Sequence, residues 1–256
     1  MDSYQALEKR IRKTDPKKDF VLYYQPRYDE EAGELSGVEV FPRLREGSQY
    51  DISADKLVQI AENTGVMNRL GIWIAEEAIS SLADWNRTSG KKYTMSINLS
   101  TRQIMDSRLL DSLKEITESR GVEPELVNLD VQNEVLMGVE PGAKDVLMSL
   151  HEYGYSLSLN NFGGDVINLS YILECGFCDI HVSRTLIERA GKDLDAQTLI
   201  RAIVAIGREM SIEVSAVGIE TDAQAELIRS LGIRKMQGYF FGRPVDKEVF
   251  ESKYII

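Results

Sequence analysis

Eight short runs rich in branched and aromatic residues alternate with stretches of helical spacing, and this alternation constrains the fold more than any other feature. The extended candidates are Phe20–Tyr24, Gly37–Phe41, Tyr93–Asn98, Leu126–Val131, Ser156–Leu159, Asp179–Val182, Glu213–Ala216 and Lys235–Phe240. Between them lie apolar stripes at helical spacing. Ser53 stands as a candidate cap before Leu57, Ile60 and Ala61, and Leu70, Trp73, Ile74, Ala78, Leu82 and Trp85 form the longest stripe. Strands alternating with helices in this number predict an α/β fold, a (β/α)8 TIM-type barrel. The first connection, Asp29 to Glu34, is too short for a helix. It predicts a hairpin, with the first strand antiparallel to its neighbours.

At 256 residues and 43% hydrophobic content the chain can bury the core of one barrel, expected over residues 19–256. Residues 1–18 read as a polar helical lead-in or linker, equally a truncated connection from an upstream domain. The formal charge of −11 argues against a polymeric nucleic-acid partner, which needs a basic face to neutralise phosphates. A compact dinucleotide needs only a few local donors. No apolar run has the length of a signal peptide or membrane span, so direct membrane insertion is not expected and a cytoplasmic location is. Cys175 and Cys178 stand between a helix-like and a strand-like stretch and read as two buried small side chains rather than a redox pair.

Chemistry on a barrel collects at the C-terminal ends of its strands. The residues expected there are Gln25, Glu39, Asn98, Asp130, Asn160 with Asn161, His181 with Ser183, Glu220 and Gln237. One polar residue at each rim is the pattern of a site, past or present. A hydrogen-bonded rim without a ligand explains any one of them, but explains the set less well. His151 reads as a solvated helix residue. Tyr23, Tyr24, Phe240 and Phe241 could each stack on a base, although core packing is the better reading of each.

Several ordered motifs give the chain a resemblance to the EAL-domain cyclic di-GMP phosphodiesterases from about Phe20 to Pro244. They are Tyr24-Gln25-Pro26, the segment Gly37-Val38-Glu39-Val40-Phe41-Pro42-Arg43, Asn98-Leu99-Ser100, Gly218-Ile219-Glu220-Thr221, and the closing run from Gln237 to Pro244. The resemblance implies two divalent ions, Mg²⁺ or Mn²⁺, held by carboxylates and one asparagine, and a metal-generated hydroxide that opens the dinucleotide. Glu39 and Asn98 stand at matching positions, and Asp130 replaces a glutamate one methylene longer. The family's Asp-Asp-Phe-Gly reads Asn160-Asn161-Phe162-Gly163 here, which removes two charges and, by resemblance, the bridging ligand. His181 stands for an active-site lysine, Ser183 for an aspartate, Val217 for the general base and Asn133 for a second glutamate. A valine cannot accept a proton. The loop Gly164-Asp165-Val166 replaces the Thr-Gly-Tyr of many relatives. Glu115 to Ser119 spells the family's strand-four motif, but lies in a helical stretch and is read as coincidence.

These replacements predict a degenerate site with no working catalytic residues at Asn160, Asn161, His181 and Val217. The first expectation is a non-hydrolysing cyclic di-GMP receptor using Gln25, Glu39, Arg43, Asn98, Glu220, Gln237 and Arg243. The alternatives are a protein-interaction domain that no longer binds the nucleotide, and a weak phosphodiesterase with a vestigial metal site at Glu39, Asn98 and Asp130. No cofactor is expected, with Mg or Mn relevant only to residual activity. A protein partner is one expected kind of partner, and by resemblance a homodimer is another.

Overall fold

The computed structural model describes residues 2–31, 33–45, 54–132, 135, 142–163 and 168–255. Eight strands close into a barrel in chain order: β1 (Phe20–Asp29), β2 (Glu34–Leu44), β3 (Thr94–Leu99), β4 (Val127–Gln132), β5 (Ser156–Phe162), β6 (Asp179–Val182), β7 (Glu213–Val217) and β8 (Lys235–Gln237). β1 pairs antiparallel with both β2 and β8, as the short first link predicts, while the remaining pairs are parallel. β1 runs on to Asp29, beyond its expected end at Tyr24, because the hairpin pairs it with β2 through Asp29 and Glu34. β8 stops at Gln237 rather than Phe240. Gly238, at φ +159°, turns the chain there, and Phe240 N–H donates to the Ile219 carbonyl.

The apolar core lies outside the barrel, between its outer surface and the helices. Val38, Val40, Met95, Ile97, Leu99, Val127, Leu129, Val131, Leu157, Leu159, Ile180, Val182, Val214, Ala216 and Met236 are all buried on that outer face. The alternate positions, which point inward, are polar: Ser96, Asn128, Asp130, Ser158, His181 and Ser215 are buried as well. Barrels of this type usually fill the interior with branched apolar layers. Here the interior is a hydrogen-bonded polar layer, so its stability rests on satisfying every donor and acceptor rather than on packing methyl groups.

The C-terminal helix Lys247–Tyr254 docks on β1 through an aromatic cluster. Tyr24 packs edge-on to Trp85 at 5.1 Å, Trp85 stacks on Phe250 at 5.2 Å, and Trp85 Nε1 donates to Glu251 at 2.8 Å. Tyr24 is therefore core, its hydroxyl 3.1 Å from Ser81, and burial pushes its phenol up to about 12. The lead-in forms a helix, Asp2–Ile11, whose Leu7 and Ile11 are buried.

Cys175 is buried, and burial pushes its thiol up to about 11, far from a redox-active value. Cys178 corrects the expectation of a buried pair: it is exposed, with its sulfur 3.3 Å from the Leu157 carbonyl. Glu115 to Ser119 lies in the helix Leu109–Arg120, where Thr117 is buried against Tyr155 and both glutamates face solvent. His151 is exposed on its helix. Ser53, Asn133 and the Gly164–Val166 loop lie outside the described residues.

Candidate functional site

Strand register lifts a polar residue to the upper barrel from most strands, while β7 brings the apolar Val217. Gln25 pairs with Glu39, Asn98 with Asp130, Gln132 with Asn160, and Val217 with Gln237. Local sequence sets where each strand stops. Ser100 ends β3 by capping the next helical turn in a reciprocal box with Gln103, and Thr221 does the same with Gln224 beyond β7. Ser183, at the position resembling a family aspartate, caps the helix Arg184–Ala190 and bonds Leu186 N–H at 3.3 Å.

The predicted residues meet in one continuous hydrogen-bonded chain. Gln25 donates to the Gly242 carbonyl at 2.9 Å and accepts from Gln237 at 3.0 Å. Gln237 also donates to Glu39 Oε2 at 2.8 Å, while Glu39 Oε1 accepts from Asn98 Nδ2 at 2.7 Å. Asn98 Oδ1 accepts from Asn160 Nδ2 at 3.1 Å, and Asn160 Oδ1 bonds His181 Nδ1. His181 is fully buried. Its Nε2 lies 3.2 Å from Asp179, which also accepts from Ser215 at 2.8 and 2.9 Å.

Sequence reasoning missed the centre of this chain, Arg27. Its Nε donates to Gln237 at 2.8 Å, its Nη2 donates to Asp130 at 2.9 Å and lies 3.5 Å from Glu39, and its Nη1 is 3.4 Å from His181. Burial alone would lower the guanidinium's pKa. Asp130, Glu39 and Asp179 outweigh it and hold the pKa above its ordinary value. Burial pushes Asp130 up to about 6, with Arg27 and His181 limiting the rise. Asp179 sits below the usual range: burial would raise it, but His181, Arg27 and Ser215 prevail. The signal for Arg27 was its place two residues after Gln25, on the same strand face. A cavity of about 450 Å³ opens to Arg27, Asp179 and Ser215 from the N-terminal ends of the strands. A larger one, about 620 Å³, lies among the outer helices around Arg69 and Trp73, away from the barrel mouth.

Other expected residues stand apart from this chain. Arg43 continues the inward face of β2 beyond Glu39, and its Nη1 is buried without a hydrogen-bond partner among the described residues. Glu220 is exposed and pairs with Arg184 at 2.9 Å, and Arg243 is exposed and stacks over Tyr239 at 4.2 Å. Asn161, at φ +61°, turns outward and donates to Gln132 at 2.9 Å. Phe240 is exposed, and Phe241 stacks on Tyr28 at 5.5 Å.

With Arg27 in place, the donor set does not fit a pair of divalent ions. Both Asp130 oxygens are taken, Oδ2 by Arg27 and Oδ1 by Asn128, and the residue has no exposed surface. Both Glu39 oxygens are taken as well, and the Asn98 amide presents its nitrogen, not its oxygen, to Glu39. Among the described residues no three His, Cys, Asp or Glu side chains converge as metal ligands. Glu39, Asn98 and Asp130, expected as a vestigial metal site, are neighbours, and their oxygens accept from Asn98 and Gln237 at Glu39, from Asn160 at Asn98, and from Asn128 and Arg27 at Asp130. The arrangement can bind and orient polar groups at its mouth. Val217 offers no proton acceptor.

Comparison with known proteins places this geometry. The chain is 29% identical to the bifunctional diguanylate cyclase/cyclic di-GMP phosphodiesterase MucR of Pseudomonas aeruginosa over 96% of its own length and 35% of that protein. It is 25% identical to the cyclic di-GMP phosphodiesterase PdeR of Escherichia coli, over 98% of this chain and 38% of that one. It thus spans about a third of the curated relatives it matches. Among solved structures, the MucR phosphodiesterase complex with cyclic di-GMP superposes with a TM-score of 0.85 at 28% identity, covering 97% of this chain and 98% of that one. The EAL enzyme Bd1971 bound to cAMP and cyclic di-GMP gives 0.89 at 27% identity, over 97% and 68%. No helix among the described residues is long and apolar enough to cross a membrane. The EAL domain profile matches residues 6–244, nearly the whole barrel, and the chain belongs to the EAL domain family.

Proposed function

We propose that this EAL domain binds cyclic di-GMP at the C-terminal mouth of its barrel and does not hydrolyse it. The observation that carries this reading is the closed hydrogen-bonded chain from Gln25 through Gln237, Glu39, Asn98 and Asn160 to His181, which stands where metal-directed oxygens would be needed. Two-metal hydrolysis requires a bridging carboxylate and a group to manage the attacking water's proton. Asn160 supplies a neutral amide at the first position and Val217 a hydrocarbon at the second. Binding asks less: donors for phosphate oxygens and room for the bases. Arg43, whose buried Nη1 has no hydrogen-bond partner among the described residues, supports the first requirement, because a charge-assisted bond there would satisfy a group that is costly to leave unpaired.

The ligand set of this reading is Gln25, Arg43, Gln237 and Arg243, with Glu39, Asn98 and Glu220 shaping the floor and rim. No resident metal is part of it, and the site is cytoplasmic, where the dinucleotide would be met. Incubation of the protein with cyclic di-GMP and Mn²⁺, followed by chromatography, tests it. Intact dinucleotide is expected, and linear pGpG at an enzyme's rate contradicts the reading.

A second reading has one observation in its favour. Leu173 and Leu194, 55% and 75% exposed, stand on the helices Leu169–Cys175 and Leu194–Met210 outside the barrel. A domain that had exchanged its nucleotide for a protein partner, or a second copy of itself, would use such a surface. It predicts no nucleotide binding in any buffer.

A further inference from the structure

We propose that the Arg27 guanidinium is a resident cation, occupying the place between Glu39 and Asp130 where a divalent ion would otherwise neutralise them, and that its removal opens a latent metal site. This deepens the reading of a metal-free barrel, but makes a claim about the protein without nucleotide.

Two carboxylates inside a barrel repel each other and lose their hydration, so a fold that keeps both must supply positive charge within reach. One guanidinium nitrogen, Arg27 Nη2, lies 2.9 Å from Asp130 and 3.5 Å from Glu39. The other donors are spent on the same surroundings, Nε on Gln237 and Nη1 toward His181. A planar guanidinium cannot be deprotonated in a protein and offers several donors in fixed directions, which suits a charge held permanently in one place. Nη2 and a divalent ion therefore compete for the same oxygens, and the covalently tethered group has the advantage in local concentration. The hairpin makes this geometry available. Because β1 runs antiparallel, Arg27 enters from the lower barrel and pairs with Gln237 in register, below the mouth that Arg43 faces. A nucleotide at the mouth would meet a floor already neutral, with no metal to recruit.

The test uses Mn²⁺ as the probe, on the whole chain without nucleotide, read by electron paramagnetic resonance and by thermal unfolding with Mn²⁺ or with chelator. Wild type is expected to bind no Mn²⁺ at the barrel and to melt at the same temperature in both buffers. Arg27→Ala is expected to melt lower in chelator, recover part of the loss in Mn²⁺, and bind the ion roughly tenfold or more tightly than wild type. Arg27→Lys, which keeps the charge, is expected to remain silent to Mn²⁺. Tight Mn²⁺ binding or a Mn²⁺-dependent melting shift in wild type overturns the proposal. So does a folded Arg27→Ala that gains no affinity. Should Arg27→Ala fail to fold, Arg27→Met, which keeps the apolar stem without the charge, is read by the same criteria. Nucleotide binding is measured separately, so a protein that fails to bind cyclic di-GMP leaves this result intact.

Discussion

Arg27 and Asp130 face each other inside the barrel, Nη2 to Oδ2 at 2.9 Å, with the arginine side chain 14% exposed and the aspartate completely enclosed. Breaking a buried pair by removing one partner costs more than the pair itself contributes, because the remaining charge stays desolvated. Asp130→Ala should therefore lower unfolding stability by about 3–5 kcal/mol. Denaturant titration measures this. A loss well under 1 kcal/mol would mean that Glu39 alone satisfies the guanidinium.

The turn after β8 positions the rim of the site. Gln237 accepts the backbone N–H groups of Gly218 and Ile219 at 2.9 and 3.0 Å, so the loops after β7 and β8 are tied together. A Cβ on Gly238 would stand 2.0 Å from the Ile219 carbonyl oxygen, with φ at +159°. Neither the backbone strain nor the overlap can relax without separating the two loops. Gly238→Ala is expected to cost about 3 kcal/mol or more and to lower the melting temperature. A variant as stable as wild type would show that the loops are not coupled.

Arg43 gives the most direct handle on recognition. Arg43→Ala should weaken cyclic di-GMP binding roughly tenfold to a hundredfold, the range for loss of one charge-assisted hydrogen bond. Stability should change little, since the buried Nη1 has no partner to lose among the described residues. Equal affinities in the two proteins would remove Arg43 from the ligand set.

One pH effect lies away from the site. Arg108, through its side chain and its backbone N–H, holds Asp106 down to about 2, below an ordinary value of 3.8. A depressed carboxylate stabilises the fold above its unfolded pKa, and that contribution disappears as pH falls through the folded value. The difference in melting temperature between wild type and Asp106→Asn should therefore be full above about pH 4 and close toward pH 2. A difference independent of pH would assign it to packing.

The barrel was legible because its outer face keeps a strict alternation of apolar residues, and because the Asp29–Glu34 link is too short for a helix. Asn98, Asn160, His181 and Gln237 were legible for the same reason, being the last inward positions of their strands. The lower polar layer was not foreseen, although it is written in the sequence. Ser96-Ile97-Asn98, Asn128-Leu129-Asp130, Ser158-Leu159-Asn160 and Asp179-Ile180-His181 repeat polar, apolar, polar, which places two polar residues per strand inside the barrel. Arg27 escaped because strand direction, not composition, decides whether it points at Asp130. Glu220 and Arg243 follow motifs rather than strand faces, and a motif does not say that a side chain will take a surface partner instead.

The account stands or falls on whether the barrel takes the dinucleotide without a metal. Isothermal titration of cyclic di-GMP into the protein, once in chelator and once with excess Mg²⁺, measures this directly. Saturable binding with the same affinity in both buffers is the predicted result. Silence in both would contradict it in favour of a protein-docking domain, and binding that appears only with Mg²⁺ would contradict it in favour of a metal-dependent site.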